Sequence, residues 1–157
     1  MKPDLTRILL DLETINGFNA TPGSGITRIS FSEEDRKART YLLAVLNQFG
    51  LTAKIDGAGN IRALYPGETN LPPVMIGSHM DTVYQGGGFD GLAGVVCALE
   101  VLRVIIEEGK PLKRGVELVA FSEEEGSNFG ITMFGSSVFA GQYTIQQLQQ
   151  IRNSKGK

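Results

Sequence analysis

The sequence predicts an α/β fold with a mainly parallel sheet flanked by helices, and three observations carry that prediction. The run 74-VMIGS-78 is short, apolar and unalternating, as expected of a strand covered on both faces. A second run of that kind, 116-VELVAF-121, follows further on. Between them a glycine-rich loop leads into a segment from about Asp90 to Glu108 that is apolar almost all round except along Glu100, Arg103 and Glu107. Strand, loop, buried helix and strand make a βαβ unit.

The elements before this unit are read from local signals. The N-terminal stretch "MKPDLTRILLDLETING" carries charges at Asp4, Arg7, Asp11 and Glu13, so it lacks a signal-peptide core. Residues 32–50 read as a helix: Ser32 is a good N-cap, acids fill the first turn, and Gly50 stands at the far end. Ala38, Tyr41, Leu42, Val45, Leu46 and Phe49 follow the helical period, which demands one buried face. In 52-TAKIDGAGNIRALY-65, two short runs of strand character flank "GAGN", which reads as a β-hairpin. The pair Pro72-Pro73 breaks the chain before the first strand of the βαβ unit.

Composition narrows the function classes. The 157 residues fit one domain of ordinary size, and a 41% hydrophobic content argues against long disorder. Net charge is −2 with no cluster of Lys and Arg that could track a phosphate backbone, which argues against nucleic acid as a partner. The longest apolar segment, 92–106, is interrupted by Glu100 and Arg103 and is too short to span a bilayer, so no membrane partner is expected and a cytoplasmic location is the default. The single cysteine, Cys97, reads as a buried thiol in a reducing compartment.

Candidate chemistry gathers at one edge of the expected sheet. In open parallel sheets ligands bind beyond the carboxyl ends of strands. The only histidine, His79, and Asp81 follow one strand, Asp90 stands at the start of the crossover helix, and 123-EEE-125 follows the next strand. Each has an ordinary reading. A lone histidine after an apolar strand is more often structural than a ligand, an aspartate before glycine is a normal N-cap, and a glutamate run is usually a solvated turn. The functional reading is that the Asp81 carboxylate accepts one ring proton of His79 and leaves the other nitrogen as a metal donor. Gly86, Gly87 and Gly88 would let Asp90 approach an ion closely. One of the adjacent glutamates would ligate metal while another stays free as a proton shuttle.

The ordered set "SGITRISFS", "DGAGNIRA", "GSHMDTV", "GGGFDG", "FSEEEGSNFG" and "GSSVFAG" resembles the metal-dependent amidohydrolases of the M20 peptidase superfamily. Within it, the resemblance is to the group of N-carbamoyl-L-amino acid hydrolase, β-ureidopropionase and allantoate amidohydrolase, and it covers nearly the whole chain. It implies a zinc-exopeptidase-like catalytic domain with two divalent ions, Zn, Mn, Co or Ni. It also implies His79 as ligand of one metal, Asp81 as the group orienting that imidazole, and Asp90 as the carboxylate bridging both metals. Glu124 matches the general base and Glu125 the ligand of the second metal, while Glu123 has no assigned role. Asn128 stands where many relatives have Arg, so the substrate-binding residues are left unassigned.

What the resemblance implies is hydrolysis of a linear amide or ureido C–N bond, with an N-carbamoyl amino acid as the expected small-molecule substrate. Allantoate hydrolysis or an M20 aminopeptidase or deacylase activity is the alternative. Relatives of this kind are longer homodimers with a lid domain and two further histidine ligands downstream. Residues 1–157 are accordingly expected to be the N-terminal portion of the catalytic domain, incomplete at the C-terminus. Such a chain is expected to be inactive alone and to expose apolar surface; a non-enzymatic remnant or metal-binding interaction module is the rival reading.

Overall fold

The structure, a computed structural model, describes residues 2–153, 155 and 156. Along the chain it forms α1 (Leu5–Asn16), α2 (Glu33–Gln48), β1 (Ala53–Ile55), β2 (Ile61–Tyr65) and β3 (Val74–His79). These are followed by α3 (Leu92–Glu108), β4 (Val116–Phe121), α4 (Phe134–Phe139) and α5 (Ile145–Leu148). The βαβ unit is present: β3 and β4 pair in parallel from Val74↔Val116 to His79↔Phe121, with α3 as their crossover. The expected hairpin is β1 and β2, antiparallel with Lys54 opposite Arg62.

Two expectations about the sheet need correction. Its strand order is β1-β2-β4-β3, and β2 runs antiparallel to β4, so the sheet is mixed rather than mainly parallel. The reason is the hairpin, which turns the chain before β2 and sends it along β4 in the opposite sense. Nor is β3 covered on both faces. It is an edge strand whose residues are half-buried or exposed, whereas β4, at the centre, is buried from Glu117 to Ala120.

Alternation along β4 separates two packing surfaces. Leu118 and Ala120 join Ile61 and Ala63 of β2 in the main core with Leu12 and Ile15 of α1, Leu42 and Leu46 of α2, and Val95, Leu99 and Leu102 of α3. On the other face Phe121 meets Phe139 of α4 at 6.0 Å between centroids. There Arg62 bonds Glu117 while lying over the Phe139 ring. Helix α2 begins as expected, with the Ser32 hydroxyl accepting from Asp35 N at 3.2 Å. The carboxylate of Asp35 accepts from Phe31 N at 2.8 Å. The sequence reading did not propose α1, whose N-cap Asp4 accepts from Thr6 N at 2.8 Å.

Helix α1 explains where the polar stripe of α3 goes. Glu100 and Arg103 are buried, not solvated, because α1 lies over them. Arg103 forms a two-pronged ion pair with Asp11, and Tyr41 Oη donates to the same carboxylate at 2.6 Å. Arg7 donates to Glu100 at 2.7 Å and pairs with Glu107. Cys97 and Val101 instead lie on an exposed side of α3, so the buried-thiol expectation fails. Among the described residues no helix is long and apolar enough to cross a membrane.

The Asp11–Arg103 pair is the polar joint between α1, α2 and α3, and its removal should be costly. Arg103→Met would leave the Asp11 carboxylate buried with Tyr41 as its remaining side-chain hydrogen-bond donor among the described residues, and breaking a buried pair in this way costs about 3–5 kcal/mol. Urea unfolding checks this: a loss below about 1 kcal/mol, the size of an ordinary substitution, would show that the pair does not hold the three helices together.

Candidate metal centre

The site is built by the parallel register. Because His79 ends β3 level with Phe121 at the end of β4, the exit loops 80–82 and 122–125 leave the sheet side by side. A backbone bond ties them, Glu125 N donating to Asp81 Oδ2 at 3.1 Å. The N-terminus of α3 reaches the same edge. There ligand atoms of His79, Asp90 and Glu125 all lie within 4.8 Å of one another.

The imidazole is fixed on two sides. Its Nδ1 lies 3.0 Å from the main-chain carbonyl of Asp81. A carbonyl only accepts, so Nδ1 carries the proton and the Nε2 lone pair is left for a cation. The Asp81 carboxylate, expected to orient the ring itself, has Oδ1 at 3.7 Å from Nδ1, outside hydrogen-bond reach. Asp81 therefore orients His79 through its backbone, while its buried carboxylate supplies charge and binds the Glu125 amide. On the far side the ring packs on Gly91, where any Cβ would overlap the imidazole; Gly91 has φ +61°, a region that favours glycine.

Gly91 also takes over two roles expected of neighbours. It is the N-cap of α3, with no side-chain cap bond, so Asp90 is not the cap and its exposed carboxylate is released toward Glu125. Of the glycines 86–88, Gly86 and Gly88 lie against neighbours instead, where a Cβ would meet Val83 and Asn16. Gly86 pairs with Ile26 through bonds of 2.8 and 2.9 Å, and the carbonyl of Gly88 accepts from Asn16 Nδ2 at 2.8 Å.

The three glutamates point in three directions, which relieves the repulsion that their sequence implies. Glu123 is fully buried with φ +52°, and its Oε1 accepts from the amides of Asn128 at 2.8 Å and Phe129 at 2.7 Å. Burial pushes its carboxyl up despite those bonds. Its role, unassigned from sequence, is to pin the turn that follows the site. Glu124 is half-buried, its Oε1 accepting from Ser136 N at 3.1 Å. Glu125 faces Asp90 and is raised by burial first and then by that second carboxylate. Asn128 does not reach the donor triad: its amide donates to the carbonyl of Ser30 at 2.9 Å.

This donor set fits a divalent cation. One neutral imidazole nitrogen and two carboxylates are ordinary ligands, and two facing carboxylates are more stable with positive charge between them. The pKa shifts point the same way. Burial pulls His79 down, but the Asp81 carboxylate and carbonyl and the charge of Glu125 outweigh it, so the net shift is upward. Asp81 is held below the usual carboxylate range because His79 and the Glu125 amide outweigh the cost of burial.

An α/β sheet with imidazole and carboxylate donors gathered at its strand ends has the architecture of carbamoylase-type amidases. A hydantoinase/carbamoylase family amidase from Burkholderia ambifaria superposes with a TM-score of 0.94 at 32% identity, covering 99% of this chain and 39% of that one. The sequence model described as Peptidase family M28 matches residues 60–153, and the chain belongs to that family. An N-carbamoyl-L-amino-acid amidohydrolase of Pseudomonas sp. (strain NS671) is 38% identical over 92% of this chain and 35% of its own length. A ureidoglycolate hydrolase of Oryza sativa is 37% identical over 83% of this chain and 27% of its own. The chain thus spans only 27–39% of the length of these relatives. These relatives are of the amidohydrolase kind that the motifs resemble, although the matching family carries the M28 label.

Since the fold holds protons on His79 and Glu125 more tightly than free side chains do, a cation must displace them to bind. Affinity for zinc or manganese should therefore weaken as pH falls through the raised His79 value. Titration calorimetry across about pH 5–8, the range in which histidine changes charge, checks this, and a pH-independent affinity would remove His79 from the ligand set.

Proposed function

We propose that this chain carries the metal-binding half-site of an amidohydrolase that cleaves a linear ureido or amide C–N bond, with N-carbamoyl-L-amino acids as the substrate class. The observation that carries the reading is the convergence of ligand atoms of His79, Asp90 and Glu125, with Glu124 adjoining Glu125 in the sequence. The names of the relatives supply the substrate class.

His79 would offer Nε2 to one ion, Asp90 would be shared between two ions, and Glu125 would hold the second; the ions could be Zn, Mn, Co or Ni. When bound, such cations polarise the substrate carbonyl and acidify water. The protein's own contribution is positional. Glu125 is fixed through its amide by Asp81, and His79 through Nδ1–H by the Asp81 carbonyl. Glu124 stands between the buried anchor Glu123 and the ligand Glu125, and Ser136 N holds only one of its carboxylate oxygens. The other oxygen is the base in this reading. It takes a proton from the attacking water as the new C–O bond forms, and returns that proton to the leaving nitrogen as the C–N bond breaks.

The test is incubation of the purified chain with N-carbamoyl-L-amino acids and manganese or zinc, following release of the free amino acid. Three protein donors are fewer than a closed zinc site takes, so the chain alone should bind the metal weakly and show little or no turnover. Any metal-dependent release that is measured should fall by about a hundredfold or more in Glu124→Gln, as loss of a general base does, with metal affinity unchanged. A chain that binds neither zinc nor manganese, or that releases amino acid as fast in Glu124→Gln as in wild type, would overturn the proposal.

A further inference from the structure

Arg28 heads the fully buried side chains by size, yet its guanidinium makes no ion pair among the described residues. Its bonds go to carbonyls instead: Nε donates to Met80 O at 2.8 Å, and Nη1 to Ile15 O at 2.9 Å and Phe18 O at 3.4 Å. Nη2 is buried without a hydrogen-bond partner. Burial draws the group down to about 10, opposed only by the charges of Asp35 and Asp81. A cation in such a place is expensive, and an apolar side chain would fill the volume without that cost.

What the cation does there is visible in its neighbours. Arg28 N donates to Thr82 Oγ1 at 2.8 Å, and Thr82 N donates to Arg28 O at 3.0 Å. Arg28 thus grips residue 80 with its side chain and residue 82 with its backbone, on both sides of Asp81. Asp81 in turn presents its carbonyl to His79 Nδ1 and its carboxylate to Glu125 N. The contact path from Arg28 to both ligands on the strand exits is therefore one residue long, and it needs no contact between Arg28 and a cation.

We propose that Arg28 is a positioning residue of the metal centre: by gripping Met80 and Thr82 it sets the Asp81 carbonyl so that His79 keeps its proton on Nδ1 and turns Nε2 to the cation. The proposal rests on the metal-binding reading above, but its first effect, the tautomer of His79, is present without metal.

The chain's single histidine makes that effect directly readable. In the ¹⁵N-labelled, metal-free protein, long-range ¹H–¹⁵N correlation at alkaline pH reports the one imidazole. The wild type should be in the Nδ1–H form, and the Arg28 Nε–H should exchange slowly with solvent. Arg28→Met should move the ring toward the Nε2–H form and weaken zinc binding roughly ten- to a hundredfold, the usual effect of losing a group that orients a ligand. Arg28→Lys, which keeps the charge and one donor, should restore part of both. Thr82→Val removes the hydroxyl that accepts from Arg28 N and donates to Ile26 O, without stranding a buried charge, and should shift the ring in the same direction, so it carries the test if the Arg28 variants do not fold. A wild-type ring in the Nε2–H form, or folded variants with wild-type tautomer and zinc affinity, would overturn the proposal. Wild-type protein that shows the Nδ1–H form but binds no zinc would sink the metal reading and leave the positioning role standing.

Discussion

The parallel pairing of β3 with β4 places His79 level with Phe121, and the candidate metal centre depends on that register. A slip of one residue would turn the side chains of β3 to opposite faces and carry His79 away from the edge where Glu125 emerges. Several features fix the register. Gly77 lets β3 lie against Val119 where a Cβ would collide with its carbonyl, and Gly94 lets α3 close on Ser78. The bond from Glu125 N to Asp81 Oδ2 then locks the two exits together beyond the sheet. Packing remote from the candidate site thus sets the separation of its donor groups.

A second constraint is electrostatic. Asp81, Asp90, Glu123, Glu124 and Glu125 crowd one edge, and the fold tolerates them by giving each a different partner. Glu123 is sunk onto two amides, Glu124 rests on Ser136, and Asp81 lies beside His79 with the buried Arg28 behind it. Only Asp90 and Glu125 are left facing each other, and that pair is the one whose repulsion a cation would relieve. The charge left unresolved by the protein therefore coincides with the donor triad. The same economy holds at the other polar centre, where Asp11 and Arg103 neutralise each other between three helices.

The βαβ unit and the hairpin were legible in the sequence because each rests on local signals, apolar runs of strand length and turn residues between them. Helix α2 was legible from its cap and period. The convergence of His79, Asp90 and Glu125 followed from topology, since all three sit at strand exits or at the crossover helix. What escaped depends on tertiary contact. The order β1-β2-β4-β3 cannot be read from runs alone, so the expectation that β3 is covered on both faces fails at what is a half-exposed edge strand. The expectation of a buried Cys97 fails because α1 covers the side of α3 that carries Glu100 and Arg103, and nothing in the helical period announces that. Gly91 was overlooked beside the conspicuous glycine run, although only it touches the imidazole. Arg28, inside "SGITRISFS", gave no local hint of a role, since its partners are carbonyls far along the chain.

In the proposed reading the edge formed by β3, β4 and the start of α3 holds a divalent cation on His79, Asp90 and Glu125. Anomalous diffraction at the zinc edge, from crystals of this chain grown with zinc, tests it most directly. A peak is expected within bonding distance of His79 Nε2 and of the carboxylates of Asp90 and Glu125, with Nδ1 still on the Asp81 carbonyl. Zinc bound elsewhere with this triad empty, or coordinated through Nδ1, would contradict it.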